Sequence, residues 1–375
     1  MKFKTIDSRI SAWAAIAIAL LLAVTVSACG NSAGKGKGEP SGGEAENPTM
    51  EELATLAQKE GAVISIGMAD DWANFKDTWD QLKDKYGLKH SDTDMSSAEE
   101  IAKFAAEKNN PTSDIGDIGI AVGSVAIEKG VTQPYKTEFW DEIPDWAKDK
   151  DGHWIVGYTG TIAFICNKDL VSKCPKSWAD ILSGDYQVNI GDVVKASQAQ
   201  HVVLAAAFAF GGDEKNIQPG LDYFAELAKL GKLSKSDMSA ATIEKGEVKV
   251  ALVWDFKAVG YRKGFKNPER YELSIPSEGS VTSGYATIIN KWAPHPHAAK
   301  LARAYILSDQ GQINLAKGFA RPIRKSVKIP EEIEAKLIPN EQYANVRTIS
   351  DFNAWENTTK ELGVQWQEQV LAKIR

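Results

Sequence analysis

The chain has 375 residues, 43% of them hydrophobic and 25% charged, with a formal net charge of -6 at pH 7. An acidic balance of this size argues against a nucleic-acid partner. The length is too great for one ordinary core and suits two lobes, which implies a cleft between them.

Lys2, Lys4 and Arg9 lead into an apolar run over 14–26, and Val26-Ser27-Ala28-Cys29 follows with Gly30 behind it. A basic start, a short apolar stretch and small residues before a cleavage point are the pattern of a secretion signal. The run is well short of the roughly 20 residues needed to span a bilayer, which argues against a retained helix. The tetrad resembles a bacterial lipobox. That resemblance implies a lipoprotein signal peptide over 1–28 and acylation of Cys29 (palmitate), anchoring the protein to the outer side of the cell membrane. Cleavage removes three cationic side chains and Asp7, taking the formal charge to about -8. Residues 31–48 are rich in Gly, Ser, Lys and Glu and hold no large apolar side chain, so 29–48 reads as a flexible tether.

Leu53, Ala54, Leu56 and Ala57 place a helix over 51–60, Gly61 stops it, and 62–67 reads as a strand. Trp72, Phe75, Trp79, Leu82 and Tyr86, at three- and four-residue spacing, predict an amphipathic helix that ends at Gly87. Ser96-Ser97-Ala98-Glu99-Glu100 is a capping-box pattern, with either serine able to cap, ahead of a helix over 101–108. Residues 114–123 read as a buried strand. After an acidic connection with Trp140, Trp146 and Trp154, the β-branched stretch 155–166, broken by Gly157 and Gly160, reads as a strand that changes lobes. Helices over 198–211 and 221–230, strands over 248–254 and 285–290, a helix over 296–307 that yields to Asp309-Gln310-Gly311, and a last helix from Asp351 complete an alternating α/β pattern. Cys166 and Cys174, eight apart, suit a disulfide in an extracytoplasmic protein; equally, Cys166 reads as a small buried strand residue and Cys174 as an incidental loop thiol.

Several segments resemble the substrate-binding proteins of ABC importers, in the two-lobed group of ferric, polyamine, thiamine and aminoethylphosphonate binders. They are Ala57-Gln58-Lys59-Glu60-Gly61-Ala62-Val63, Asp92-Thr93-Asp94-Met95-Ser96-Ser97, Gly157-Tyr158-Thr159-Gly160-Thr161 with Asn167-Lys168, Lys176-Ser177-Trp178-Ala179-Asp180-Ile181-Leu182, Ala293-Pro294-His295-Pro296 and Ser308-Asp309-Gln310-Gly311-Gln312. The resemblance implies a type II periplasmic-binding-protein fold with an interlobe ligand cleft and hinge crossings. Lobe 1 is expected over 49–157 and 280–350, lobe 2 over 158–279, and a C-terminal helix over 351–375, with hinge crossings near 157–161 and 274–284. It also implies a monomer that delivers a small-molecule solute to an ABC permease and its ATPase, without enzymatic activity or cofactor.

In such folds the ligand lies at the carboxyl ends of strands and the amino ends of helices. That rule nominates Asp71 and Trp72 (with Asp70), Ser96 and Ser97, Tyr158 and Thr159, Gln198 (with Ser197), Trp254 and Asp255, and Tyr285. A carboxylate beside an aromatic face suits an ammonium group, with a cation–π contribution of about 0.5–2 kcal/mol, so Trp254-Asp255 points to an amine. The same pair also fits a core Trp and a capping Asp, and Asp71 with Trp72 reads both ways too. Ser96 and Ser97 at a helix start suit a carboxylate, phosphate or phosphonate, or simply cap the helix. Both ends together imply an amino acid or aminophosphonate; the acidic aromatic end alone implies a polyamine.

Ferric binders of the group use neighbouring tyrosines, and no two tyrosines are adjacent here, although Tyr158, Tyr261 and Tyr285 could converge from apart. A ferric ion or a phosphorylated solute is the alternative cargo, and a lipid-anchored hydrolase the alternative class. Catalytic constellations are thin: there is no His-Glu-x-x-His helix, and no Ser-x-x-Lys with its companion motifs. His295 and His297 flank Pro296 without a partner set for a metal, so no metal site is expected.

Overall fold

Thr49 and Glu52 close a reciprocal capping box at the start of α1 (Met50–Glu60), and Gly61, at φ 73°, ends that helix and turns the chain into β1 (Ala62–Ile66). The computed structural model describes residues 47–374; the signal segment, Cys29 and the tether through residue 46 lie outside the described residues. In chain order there follow α2 (Phe75–Tyr86), β2 (Lys89–Thr93), α3 (Ser97–Ala106), β3 (Ile115–Gly119), α4 (Gly123–Glu128), β4 (Thr132–Gln133), β5 (Trp154–Asn167), α5 (Trp178–Ser183), β6 (Val188–Asn189), α6 (Ser197–Ala209), α7 (Gln218–Lys229), α8 (Ala240–Glu244) and β7 (Val250–Trp254). After them come α9 (Asp255–Gly264), β8 (Tyr271–Ser274), β9 (Ser280–Asn290), α10 (Pro296–Leu307), α11 (Asp309–Lys317), β10 (Arg321–Pro322), α12 (Glu331–Glu334), β11 (Val346–Thr348) and α13 (Phe352–Gln369).

The strand order is β2-β1-β3-β9-β5-β7-β6. β1 runs parallel to β2 and β3, with helices as crossovers, and β9 closes this first sheet antiparallel to β3. β5 belongs to both sheets. Its residues 154–161 pair with β9, with an irregularity between Val156 and Tyr158, and its residues 162–166 pair with β7. A second sheet of β5, β7, β6 and β8 is built on that outer half and covered by the apolar α6.

Four sequence expectations shift. The helix expected around Trp72 begins at Phe75, because Ala73 and Asn74 take positive φ (47° and 58°) and Asn74 Nδ2 donates to the Asn314 carbonyl at 3.0 Å. The strand expected over 114–123 stops at Gly119 and becomes helical, an ambiguity that a short apolar run always carries. Ser308 accepts from the Gly311 amide and starts α11 where a stop was expected. β9 begins at Ser280 rather than 285, so part of the expected second crossing is paired strand. Cys166 and Cys174 are joined in a disulfide.

The connection from β4 to β5 is tied down by Arg303, which is 0% exposed. Its guanidinium donates to the carbonyls of Tyr135, Gly152, His153 and Thr287 and to Thr287 Oγ1, at 2.8–3.1 Å. Burial lowers its pKa to about 9, yet it stays protonated at neutral pH. Arg303→Met should destabilise the protein by about 3 kcal/mol or more, because buried carbonyls lose their donors. Chemical denaturation measures this; an unchanged midpoint would show that the connection is held by other means.

Candidate functional site

Leaving Trp72 outside α2 puts its indole between the two sheets. Its Nε1 donates to Tyr158 Oη at 2.5 Å, and its ring meets Phe256 edge-on at 5.5 Å and Tyr285 at 5.3 Å. Tyr158, on the shared strand, stacks on Tyr285 at 5.7 Å and meets Phe256 at 5.8 Å. Four rings, from the loop before α2, β5, β9 and α9, thus pack against one another. Lys257, on α9, places its ammonium 4.7 Å from the Trp72 ring, a cation–π contact that also crosses from one sheet's elements to the other's.

Beneath the rings lie acids that the sequence reading did not nominate. Tyr158 donates its hydroxyl to Asp117 Oδ2 at 2.5 Å, and Asp117 is 3% exposed. Its other oxygen, Oδ1, has no hydrogen-bond partner among the described residues. The Asp117 amide donates to Glu100 Oε2 at 2.9 Å. Glu100 fits only because Gly67 and Gly116 have no side chain: a Cβ at either would come within 2.3–2.4 Å of its oxygens. Asp92 accepts from Ser65 Oγ and the Met68 amide nearby. Burial raises the pKa of all three carboxyls, taking Asp117 up to about 8. The available signal was an acid inside a strand that is otherwise wholly buried, which calls for a partner.

Two helix starts converge beside this floor. Ser96 closes the capping box of α3 with Glu99, while Ser97 Oγ accepts from the Gly119 amide at 3.0 Å. From the other sheet's side, Ser197 at the start of α6 approaches the same glycine so closely that a Cβ there would lie 2.4 Å from its Oγ. The Tyr285 hydroxyl accepts from Trp254 Nε1 at 3.1 Å, and Ser197 Oγ lies 3.3 Å from His201 Nδ1.

Most of the other nominated residues bond within the protein. Asp255 is 3% exposed; its Oδ1 accepts from the Thr161 and Phe256 amides and its Oδ2 from Tyr343 Oη at 2.7 Å, with Arg321 Nε at 3.9 Å. Both oxygens of that carboxylate are thus engaged by donors of the protein itself, the capping and packing role that the sequence offers for Trp254-Asp255 beside the amine reading. Trp254 is fully buried, its ring against His201 at 5.2 Å, and its amide donates to Gln198 Oε1 at 3.3 Å. Thr159 is half-buried, with Oγ1 3.5 Å from the Arg321 carbonyl. Asp71 is exposed at the turn before α2 and does not cap the helix. His295 and His297 each bond one acid, Asp114 and Glu60. No cluster of three metal-ligating side chains occurs among the described residues.

A family model described as bacterial extracellular solute-binding protein matches residues 110–345. The chain belongs to the bacterial extracellular solute-binding proteins. An uncharacterized protein of Haemophilus influenzae is 29% identical over 246 residues, covering 61% of this chain and 68% of that one. A putative 2-aminoethylphosphonate-binding periplasmic protein of Salmonella typhimurium is 23% identical over 247 residues, covering 62% and 68%. In structure the chain is similar to the periplasmic binding protein AfuA of Actinobacillus pleuropneumoniae, solved with fructose-6-phosphate, at a TM-score of 0.67 and 22% identity over 82% of this chain and 98% of that one. It is also similar to a ferric binding protein of Campylobacter jejuni, at a TM-score of 0.64 and 18% identity over 82% and 98%. The fold is thus the two-lobed type II periplasmic-binding-protein fold, and this solute-binding protein captures rather than transforms its ligand.

The acids give this binding protein a pH signature. A carboxyl that holds its proton more tightly when folded takes up protons on folding, so stability falls as pH rises from its ordinary value to its folded one. For Asp117 that window runs from 3.8 to about 8, and Glu100 acts in the same direction. The ligand-free melting temperature should fall across this window, with Asp117→Asn showing a flatter profile; a parallel profile would remove Asp117 as the titrating group. Asp255→Ala should cost about 2–4 kcal/mol, since it frees donors from two segments at once. Denaturant unfolding of that variant checks it, and a loss below about 0.5 kcal/mol would be surface-like and contradict the clamp.

Proposed function

We propose that this chain is a lipid-anchored solute-binding protein of an ABC importer that captures a small ligand carrying an ammonium group and an anionic group. The two lobes close on the ligand and present it to the permease and its ATPase. The observation that carries the anionic end is the meeting of Ser97 and Ser197, from helix starts in different lobes, at the Gly119 backbone. Helix starts supply N–H groups and positive potential, and hydroxyls add donors that fit a carboxylate, phosphate or phosphonate. The relatives support this class, since one is named for 2-aminoethylphosphonate and another was solved with fructose-6-phosphate.

The amine end rests on the aromatic walls and buried acids of the cleft floor. A ferric cargo fits less well: Tyr158 and Tyr285 converge, but burial raises the pKa of both phenols, opposite to what a phenolate ligand needs. Hinge motion is assigned to 157–161 and to the start of β9, where the shared strand changes partners. Cys29 would keep the solute trap beside its permease.

A thermal-shift screen over amino acids, aminophosphonates, polyamines, hexose phosphates and ferric chelates tests the cargo. A true ligand at 100 times its dissociation constant stabilises by about 2.7 kcal/mol. Stabilisation by hexose phosphates or ferric chelates alone would overturn the amine reading. Changing Cys29 to Ser should release the protein from the membrane fraction or leave its signal uncleaved; normal anchoring of that variant would overturn the lipid anchor.

A further inference from the structure

We infer that Asp117 is the carboxylate that receives the ligand's ammonium group, and that the ligand is a short ω-amino anion whose two charges are a few carbons apart. The inference rests on the amine reading above and names its acceptor. Asp117 is almost completely buried; Tyr158 donates to one oxygen and the Trp72 indole N–H also faces the carboxyl, while Oδ1 has no hydrogen-bond partner among the described residues. No cationic side chain pairs with it there. A buried carboxyl oxygen left unmatched is costly, so native proteins keep such atoms only where something else satisfies them.

The surroundings define that partner. Trp72, Tyr158, Tyr285 and Phe256 have ring centroids 5.3–5.8 Å from their neighbours in the group, and Trp72 bonds to the very hydroxyl that bonds Asp117. Aromatic faces beside one carboxylate attract a desolvated ammonium and do little for a neutral hydroxyl. The Trp72 face already draws the Lys257 ammonium to 4.7 Å.

Strand geometry sets the ligand's length. Asp117 and Gly119 are two residues apart on β3, hence on the same face of the sheet and separated by roughly 6.6 Å. Gly119 is where Ser97 and Ser197 meet, so the cationic and anionic ends sit about one short alkyl chain apart. This selects aminoalkyl phosphonates and ω-amino carboxylates over long polyamines.

Binding is coupled to a proton. The groups facing Asp117 are Glu100 from α3, Asp92 from β2, Tyr158 from β5 and Tyr285 from β9, with Lys257 of α9 over Trp72. None of the first four is a cation, and burial raises the Asp117 pKa, which favours the protonated acid in the empty site. When the ammonium arrives, the acid's proton leaves to solvent and a carboxylate–ammonium pair remains.

The test uses two matched probe pairs, 2-aminoethylphosphonate with ethylphosphonate and 4-aminobutyrate with butyrate, titrated calorimetrically into the wild type and Asp117→Asn. The wild type should prefer the amine in at least one pair, and Asp117→Asn should weaken that amine on the order of tenfold to a hundredfold while leaving its amine-free partner unchanged. A preference kept in full by the variant would overturn the assignment of Asp117 and leave the amine reading standing. No preference in either pair by the wild type would overturn both. Should the Asn variant fail to fold, wild-type titrations in buffers of different ionisation enthalpy decide: proton release near pH 7 supports the assignment, and amine binding without proton exchange overturns it.

Discussion

β5 bonds to β9 over its first half and to β7 and β8 over its second, so the two sheets share one strand and everything that lines the cleft is placed relative to it. The change of partner falls between Thr161 and Ile162, and Asp255 sits against it. One of its oxygens binds the Thr161 amide where β5 leaves the first sheet, and the other binds Tyr343 from the C-terminal segment that pairs with β9 through β11. A buried carboxylate with this many donors is well compensated, and it fixes the crossing, the start of α9 and the C-terminal segment in a single knot. Trp254, the preceding residue, is held by Gln198 and Tyr285. The acidic aromatic dipeptide that resembles an amine site in sequence is therefore the anchor of the crossing.

The cleft floor follows the opposite logic. Glu100, Asp92 and Asp117 are desolvated without a cationic partner, and Gly67 and Gly116 are shaped around the Glu100 side chain. Stability gains little from such an arrangement, since apolar residues of similar volume would pack there at lower cost. Acids kept under those conditions cluster at functional sites. If cargo pairs with them, the cost of burying the acids is offset on binding, and closure is then favoured more strongly with ligand than without it.

Much of the fold was legible because its signals are local. Thr49, Glu52 and Gly61 bracket α1 through side-chain and backbone caps that the sequence displays directly, and the β-branched run through Cys166 declares a buried strand. The candidate site was legible as a neighbourhood. Strand-end rules led to Trp72, Tyr158 and Tyr285, whose rings pack together, and to Ser97, which accepts from the Gly119 amide. They also led to Asp255, whose oxygens are occupied by amides and a tyrosine distant in sequence, a fact no local pattern contains. Asp117 was passed over because it lies inside the strand rather than at its end. What marks it is burial without a partner, which appears only when four other segments are folded around it.

The placement of Trp72 links these levels. An unbroken helix from that residue would hold the indole on the α2 face, packed on the same lobe as Phe75 and Trp79. The positive-φ pair Ala73-Asn74, latched to α11 through Asn314, instead swings it across to Tyr158, Phe256 and Lys257. The left-handed conformation is unfavourable for alanine, so it persists only because the surrounding contacts over-determine it. Its consequence is that one side chain of the first lobe reads both the acid beneath it and the helix opposite. An ammonium that competes with Lys257 for the indole face, or with the proton on Asp117, changes contacts made only when the lobes are together, and that differential is what a ligand needs in order to bias closure.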